Sequence, residues 1–277
     1  MSLPNVWVRI LVGVALVPVI LLVAWAGGAY LTLFVDMVIV IGLWEFYRLC
    51  QAKGIEPNRY LGISGGVAIS IAATIHAEHA IPGVVAIVVI ASASFEVFRN
   101  RSSSAIQNVA ATVFGVLYVG WLTSHLILLR HINEGADNLT EMDGMGAVLL
   151  ALFIPWICDT AAYFTGRAIG RHKLIPRVSA GKTVEGAIGG LVGTPLILLM
   201  LRPELFAFIG TVDTVILGLA GAVVSQTGDL AESLIKRDAN VKDASHIIPG
   251  HGGVLDRFDS VLFSAPFVFY YLTVVAL

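Results

Sequence analysis

The stretch Ile10–Ala26, ILVGVALVPVILLVAWA, decides the fold. It has no charged or hydrogen-bonding side chain apart from the Trp25 indole. Its length approaches the roughly 20 apolar residues that carry a helix across the hydrocarbon of a bilayer. Arg9 before it and Ala24-Trp25-Ala26 at its end imitate a cleavable signal peptide. The apolar run is longer than such peptides carry, and a second run follows at once, so it reads as a retained first helix. Working outward, apolar runs recur near 29–49, 61–77, 81–98, 109–130, 147–166, 186–201, 207–227 and 258–277. No strand alternation or internal repeat is convincing. The expected fold class is all-α: a polytopic integral membrane protein with about nine transmembrane helices.

Composition supports this. Of 277 residues, 57% are hydrophobic and 13% are charged. A soluble domain carries about 25% charged residues, so a water-facing shell for this chain is excluded. The 28 glycines suit close helix packing in lipid. Cys50 and Cys158 have no CxxC spacing and give no disulfide or zinc signal. The chain reads as a single polytopic domain over 1–277, with 1–146 a helical scaffold and 147–277 the catalytic helices.

Basic residues set the direction. With the N-terminus inside, the inner segments are the N-terminal stretch and those near 48–60, 99–108, 167–185 and 228–257. They hold 15 of the 17 Lys and Arg residues, Arg130 and Arg202 being the exceptions. The opposite loops carry Glu134, Asp137, Glu141 and Asp143. This asymmetry predicts a cytoplasmic N-terminus and an outer C-terminus. His76, His79, His125 and His131 then lie towards the outer side and receive no role.

Two inner segments, 167–186 and 225–260, carry the chemistry. The first is basic and rich in small residues, a fair description of an anion site. Gly181-Lys182-Thr183 resembles the end of a P-loop, but Pro176 stands where that motif needs glycine, so this reading fails. In the second segment, Asp229, Glu232, Ser233, Lys236 and Arg237 fall at i, i+3, i+4, i+7 and i+8. That spacing puts acids, a hydroxyl and bases on one helix face. A plain surface helix does not explain Asp229 at the end of an apolar span, where an ionisable group is costly. Pro249-Gly250-His251-Gly252-Gly253 follows, free for close ligand approach, and Asp256 and Asp259 sit i, i+3 at the mouth of the last span. Carboxylates that hold Mg²⁺ beside Lys, Arg and His suit phosphoryl or nucleotidyl transfer. Asp159, Asp36, Glu45 and Glu96 also lie near membrane depth. Glu45 with Arg48 and Glu96 with Arg99 read as structural i, i+3 pairs.

The segment Ser233-x-x-Lys236-Arg237-x₄-Lys242-Asp243, with Pro249-Gly250-His251-Gly252-Gly253-x-x-Asp256-Arg257-x-Asp259, resembles the signature of the phosphatidate cytidylyltransferase family. Asp159-x-x-Ala162-Tyr163-Phe164-x-Gly166-Arg167 and Ser179…Lys182-Thr183-x-Glu185-Gly186 are similar to further family elements. Ala180, Gly181 and Val184 depart from it, standing where the family usually has Pro, Lys and Trp. The resemblance implies that CTP and phosphatidic acid give CDP-diacylglycerol and pyrophosphate at the cytoplasmic side of the cell's inner membrane. It implies Mg²⁺, with K⁺ as a companion ion; Asp229 and Asp256 are the expected ligands, with Asp259 and Glu232 as second choices. Lys236, Arg237 and Arg257 would join Asp229 and Asp256 in catalysis. Ser179, Lys182, Thr183, Ser233, Lys242, His251, Gly252 and Gly253 would bind substrate. No nucleic-acid partner is expected, and a homodimer is left open. Two other readings stand beside it: a related CTP-dependent enzyme on another lipid phosphate, of CDP-archaeol type, and a transporter. A transporter would spread its ionisable residues through the membrane depth, whereas here they gather at one face.

Overall fold

A computed structural model describes residues 3–99, 104–134, 139–250 and 252–276, with side chains from residue 13 onward. Its helices are α1 Leu3–Ala26, α2 Gly28–Ala52, α3 Arg59–Thr74, α4 Ile81–Val97, α5 Ala105–Gly115, α6 Leu122–Arg130, α7 Glu141–Ile169, α8 Val184–Leu205, α9 Thr211–Asp238 and α10 Leu255–Tyr271. A π-helical stretch, Val116–Trp121, joins α5 to α6 without a break, and a second one, Leu272–Ala276, extends α10. Every predicted apolar run falls on a helix, and the chain is an all-α polytopic membrane protein. Among the described residues, seven helical segments are long and apolar enough to cross a membrane. The first helix adds Gly13–Ala26 as a shorter apolar piece. With 16 residues, α3 reaches about 24 Å at 1.5 Å per residue, short of a hydrocarbon core of about 30 Å.

No strand alternation is convincing in the sequence, yet within segment 167–186 β1 (Lys173–Ile175) and β2 (Ser179–Thr183) form an antiparallel hairpin. Lys173 pairs with Thr183 and Ile175 with Ser179. Three residues are too few for period-2 alternation, and Ser179–Thr183 has only Ala180 as an apolar side chain to alternate.

The chain forms two compact units. One comprises Met1–Ile127 and Asp238–Phe258, the other Leu128–Arg237 and Asp259–Leu277. In the first, α2, α3 and the stretch from α5 to Trp121 pack through small residues. A Cβ on Gly120 would stand 2.8 Å from the Gly66 Cα, so these backbones meet directly. The Tyr47 hydroxyl donates to the Thr112 carbonyl at 2.9 Å, removing an unmet donor from an apolar interior. The Glu96–Arg99 pair forms at 2.8 Å. The Glu45–Arg48 pair does not: the Arg48 guanidinium lies over the Trp44 ring, 4.8 Å from its centroid. Glu45 is wholly buried and receives backbone N–H groups of Val254 and Leu255 instead.

The second unit packs α7 to α10 with the hairpin. Thr140 and Asp143 close a capping box at the start of α7. Ser264 of α10 donates to the Ala151 carbonyl of α7 at 2.7 Å. A Cβ on Gly186 would stand 2.8 Å from the Ala162 carbonyl, so α7 and α8 touch where the hairpin joins them.

Gly120→Ala should lower stability by about 1–3 kcal/mol, because its methyl meets backbone rather than a movable side chain. Gly83→Ala, whose Cβ would meet nothing within 4 Å, should not. Melting curves of both variants in detergent check this, and equal melting temperatures would contradict the packing.

Candidate active site

The polar face of α9 is as the 3.6-residue period predicts. Lys182 Nζ of β2 lies 2.5 Å from Asp229 Oδ2. The Ser233 hydroxyl donates to Asp229 Oδ1 at 3.2 Å. One turn on, Lys236 Nζ lies 2.5 Å from Glu232 Oε2, and Glu232 is completely buried. Arg237 Nε donates to the Val178 carbonyl at 3.4 Å, tying the end of α9 to the hairpin.

Gly228 decides what stands beside this face. A Cβ there would meet the Asp259 carbonyl at 2.8 Å and the Phe263 ring at 3.1 Å. Its absence lets α9 and α10 close together, and the Asp259 carboxylate feels the charges of Asp229, Asp159 and Lys236. Asp159, Asp229 and Asp259 thus act on one another's charge, with Lys182 paired to Asp229, while Glu232 and Lys236 pair one turn on. Carboxylate oxygens are the hard donors that Mg²⁺ takes, one or two at a time, beside water and substrate phosphates. Sequence reading found the α9 ladder but missed Gly228, whose role shows only once α10 is placed.

A cavity of about 440 Å³ opens beside Lys182. It is lined by Asp159, Ala162, Tyr163, Gly166 and Arg167 of α7, by Leu174, Gly181, Lys182 and Thr183 of the hairpin, by Gly186 and Ala187 of α8, and by Gln226 of α9. The volume suits a small ligand, and the mixture of apolar wall with a few charges suits one with both a polar and an apolar part. Thr183 also caps α8, its hydroxyl accepting the Gly186 N–H at 3.1 Å. Ser179 opens β2 and does not line the cavity. Glu185 accepts the backbone N–H groups of Arg171 and His172, which fixes the turn before the hairpin.

Of the remaining predicted residues, Gly252 and Arg257 line a second cavity, of about 520 Å³ and within the first unit, with Asp243, His246, Ile248, Pro249 and Gly250. Gly250 and Gly252 have φ of 75° and 82°. Both are left-handed conformations that favour glycine. The Ile248 N–H donates to the Gly252 carbonyl at 2.9 Å, closing the turn. Asp256 Oδ2 accepts from Ala244 N at 2.9 Å and Gly253 N at 2.7 Å, so this carboxylate organises backbone whatever else it does. Lys242 is exposed. His251 lies outside the described residues.

Comparison with known proteins bears on this arrangement. A family model described as "Cytidylyltransferase family" matches residues 7–275. The chain is 31% identical over 267 residues to a phosphatidate cytidylyltransferase of Synechocystis, covering 89% of each chain. It is 34% identical over 273 residues to that of Staphylococcus aureus, covering 94% of this chain and 96% of the other. Over 133 residues, 46% of each chain, it is 44% identical to that of Haemophilus influenzae.

Lys182→Met strands a half-buried carboxylate and should cost about 1–3 kcal/mol of stability. Adding Asp229→Asn should return most of that loss, since paired residues are not additive. Denaturation of the two single variants and the double variant in detergent measures it, and strictly additive losses would refute the pairing.

Proposed function

We infer the activity from the premise that this chain belongs to the cytidylyltransferase family. It transfers the cytidylyl group of CTP to the phosphate of phosphatidic acid. A lipid phosphate oxygen attacks the α-phosphorus of CTP, the bond from that phosphorus to the bridging oxygen breaks, and pyrophosphate leaves with the electron pair. CDP-diacylglycerol remains in the membrane. The observation that carries this reading is the carboxylate and lysine cluster of α9, α10 and β2 beside a cavity with both apolar and charged walls.

The nucleophile belongs to the substrate, so the protein's task is positioning and charge balance. Asp229 and Asp259 are the assigned ligands of Mg²⁺, with Glu232 beside them and K⁺ as a companion ion. Bound there, the divalent cation supplies charge neutralisation for the phosphates. Lys182 leaves its ion pair with Asp229 to meet a phosphate, and Lys236 answers the buried charge of Glu232. Ser179, Thr183, Ser233 and Arg237 are assigned to phosphate contacts and to orienting the lysines. The roles of Lys242, His251, Gly252, Gly253, Asp256 and Arg257, with Asp256 a further metal ligand, rest on the likeness of their segment to the family signature.

The location follows from charge. Fifteen of seventeen basic residues fall in segments that share one side if the chain crosses nine times. We place that side, with the N-terminus and the catalytic segments, in the cytoplasm, and the chain in the cell's inner membrane.

Purified protein with phosphatidic acid and Mg²⁺ should form a CDP-lipid from CTP, and no nucleotidyl-lipid from ATP or GTP. Asp229→Asn should lower kcat by about a hundredfold or more. Failure of the unaltered protein to make the CDP-lipid would overturn the reading.

A further inference from the structure

We propose that Glu45 is a positioning residue for this reaction, acting from α2 through the backbone that carries Gly252, Gly253, Asp256 and Arg257. This rests on the activity inferred above. Glu45 is 0% exposed. Its Oε1 accepts from Val254 N at 3.0 Å and from the Ser245 hydroxyl at 2.5 Å, and its Oε2 accepts from Leu255 N at 2.7 Å. The partners are neutral donors, two of them N–H groups at the start of α10. There the helix dipole favours a negative charge.

Asp256 works from the other end of the same stretch, holding the N–H groups of Ala244 and Gly253. Two carboxylates separated by 211 positions therefore take the N–H groups of residues 244, 253, 254 and 255 between them. The fit leaves no slack. A Cβ on Gly253 would stand 2.7 Å from the Glu45 Cδ and 2.8 Å from Oε2. Glycine at 253 is thus required by the glutamate, since its φ is not left-handed.

The chemistry explains why an acid is used. Every partner here donates a hydrogen, so an acceptor-only carboxylate satisfies all of them. Glutamine of equal size would turn an NH₂ towards an N–H. A buried charge is costly unless it is answered by such bonds, and charge-assisted bonds are the strong ones. What Glu45 holds is not remote scaffold but Val254 and Leu255, the two residues before Asp256.

The experiment compares Glu45→Gln, Glu45→Asp and Gly253→Ala in purified full-length protein, with the unaltered protein as control. Glu45→Gln should lower kcat by about tenfold to a hundredfold while KM for CTP and for phosphatidic acid stays within about twofold. Glu45→Asp, which keeps the charge, should recover part of that rate. Hydrogen exchange of the Val254 and Leu255 amides should quicken in Glu45→Gln, an outcome that does not depend on turnover. A purely structural role would lower yield and melting temperature and leave kcat per folded molecule unchanged. Unaltered kcat in Glu45→Gln, with an active control, would overturn the proposal. If Glu45→Gln does not accumulate, Gly253→Ala decides: a kcat loss of about tenfold or more at steady KM supports it, and normal kcat refutes it. An inactive control would instead indict the inferred activity.

Discussion

A carboxylate inside an apolar helix must find a donor or a cation, because hydrocarbon offers neither water nor counter-ion. This requirement shapes both units of the protein. In the second it sets Lys182 against Asp229 and Lys236 against Glu232, each at 2.5 Å. In the first it draws Val254 N and Leu255 N onto Glu45, and Ala244 N and Gly253 N onto Asp256. Each solution fixes a backbone segment as a by-product. The hairpin is held to α9 by Lys182, and the entry to α10 is held to α2 by Glu45.

Close approach of backbones makes such pairing affordable in space. Removing a side chain at Gly228 brings α9 against α10 and so puts Asp259 beside Asp229. Removing one at Gly253 lets a glutamate reach two successive amides. In lipid, where helices gain little from burying apolar surface against each other, small residues and polar pairs are what define an interface. The pairing of Asp259 with the charges around Asp229 is a product of that packing.

The spans were legible because length and hydropathy alone carry them, and each apolar run is a helix. Arg59–Thr74 shows the limit, since hydropathy marks it while its 16 residues are fewer than the roughly 20 of a typical crossing. The ladder from Asp229 to Arg237 was legible because helical spacing is local. The hairpin at Lys173–Thr183 was not, as one strand is too short and the other too poor in apolar side chains to alternate. Glu45 was misread as the partner of Arg48 because sequence shows only near neighbours. Its true partners lie some two hundred positions away. Asp256 likewise reads as a metal ligand in sequence, while the structure adds its hold on two backbone amides.

The central claim concerns which bond of CTP breaks. Purified protein can be given phosphatidic acid and CTP labelled either at the α-phosphorus or at the γ-phosphorus. Cytidylyl transfer requires that α-label enters the lipid product and that γ-label leaves in pyrophosphate. Label passing from the γ-position into lipid, or no label entering lipid from either position, would contradict it.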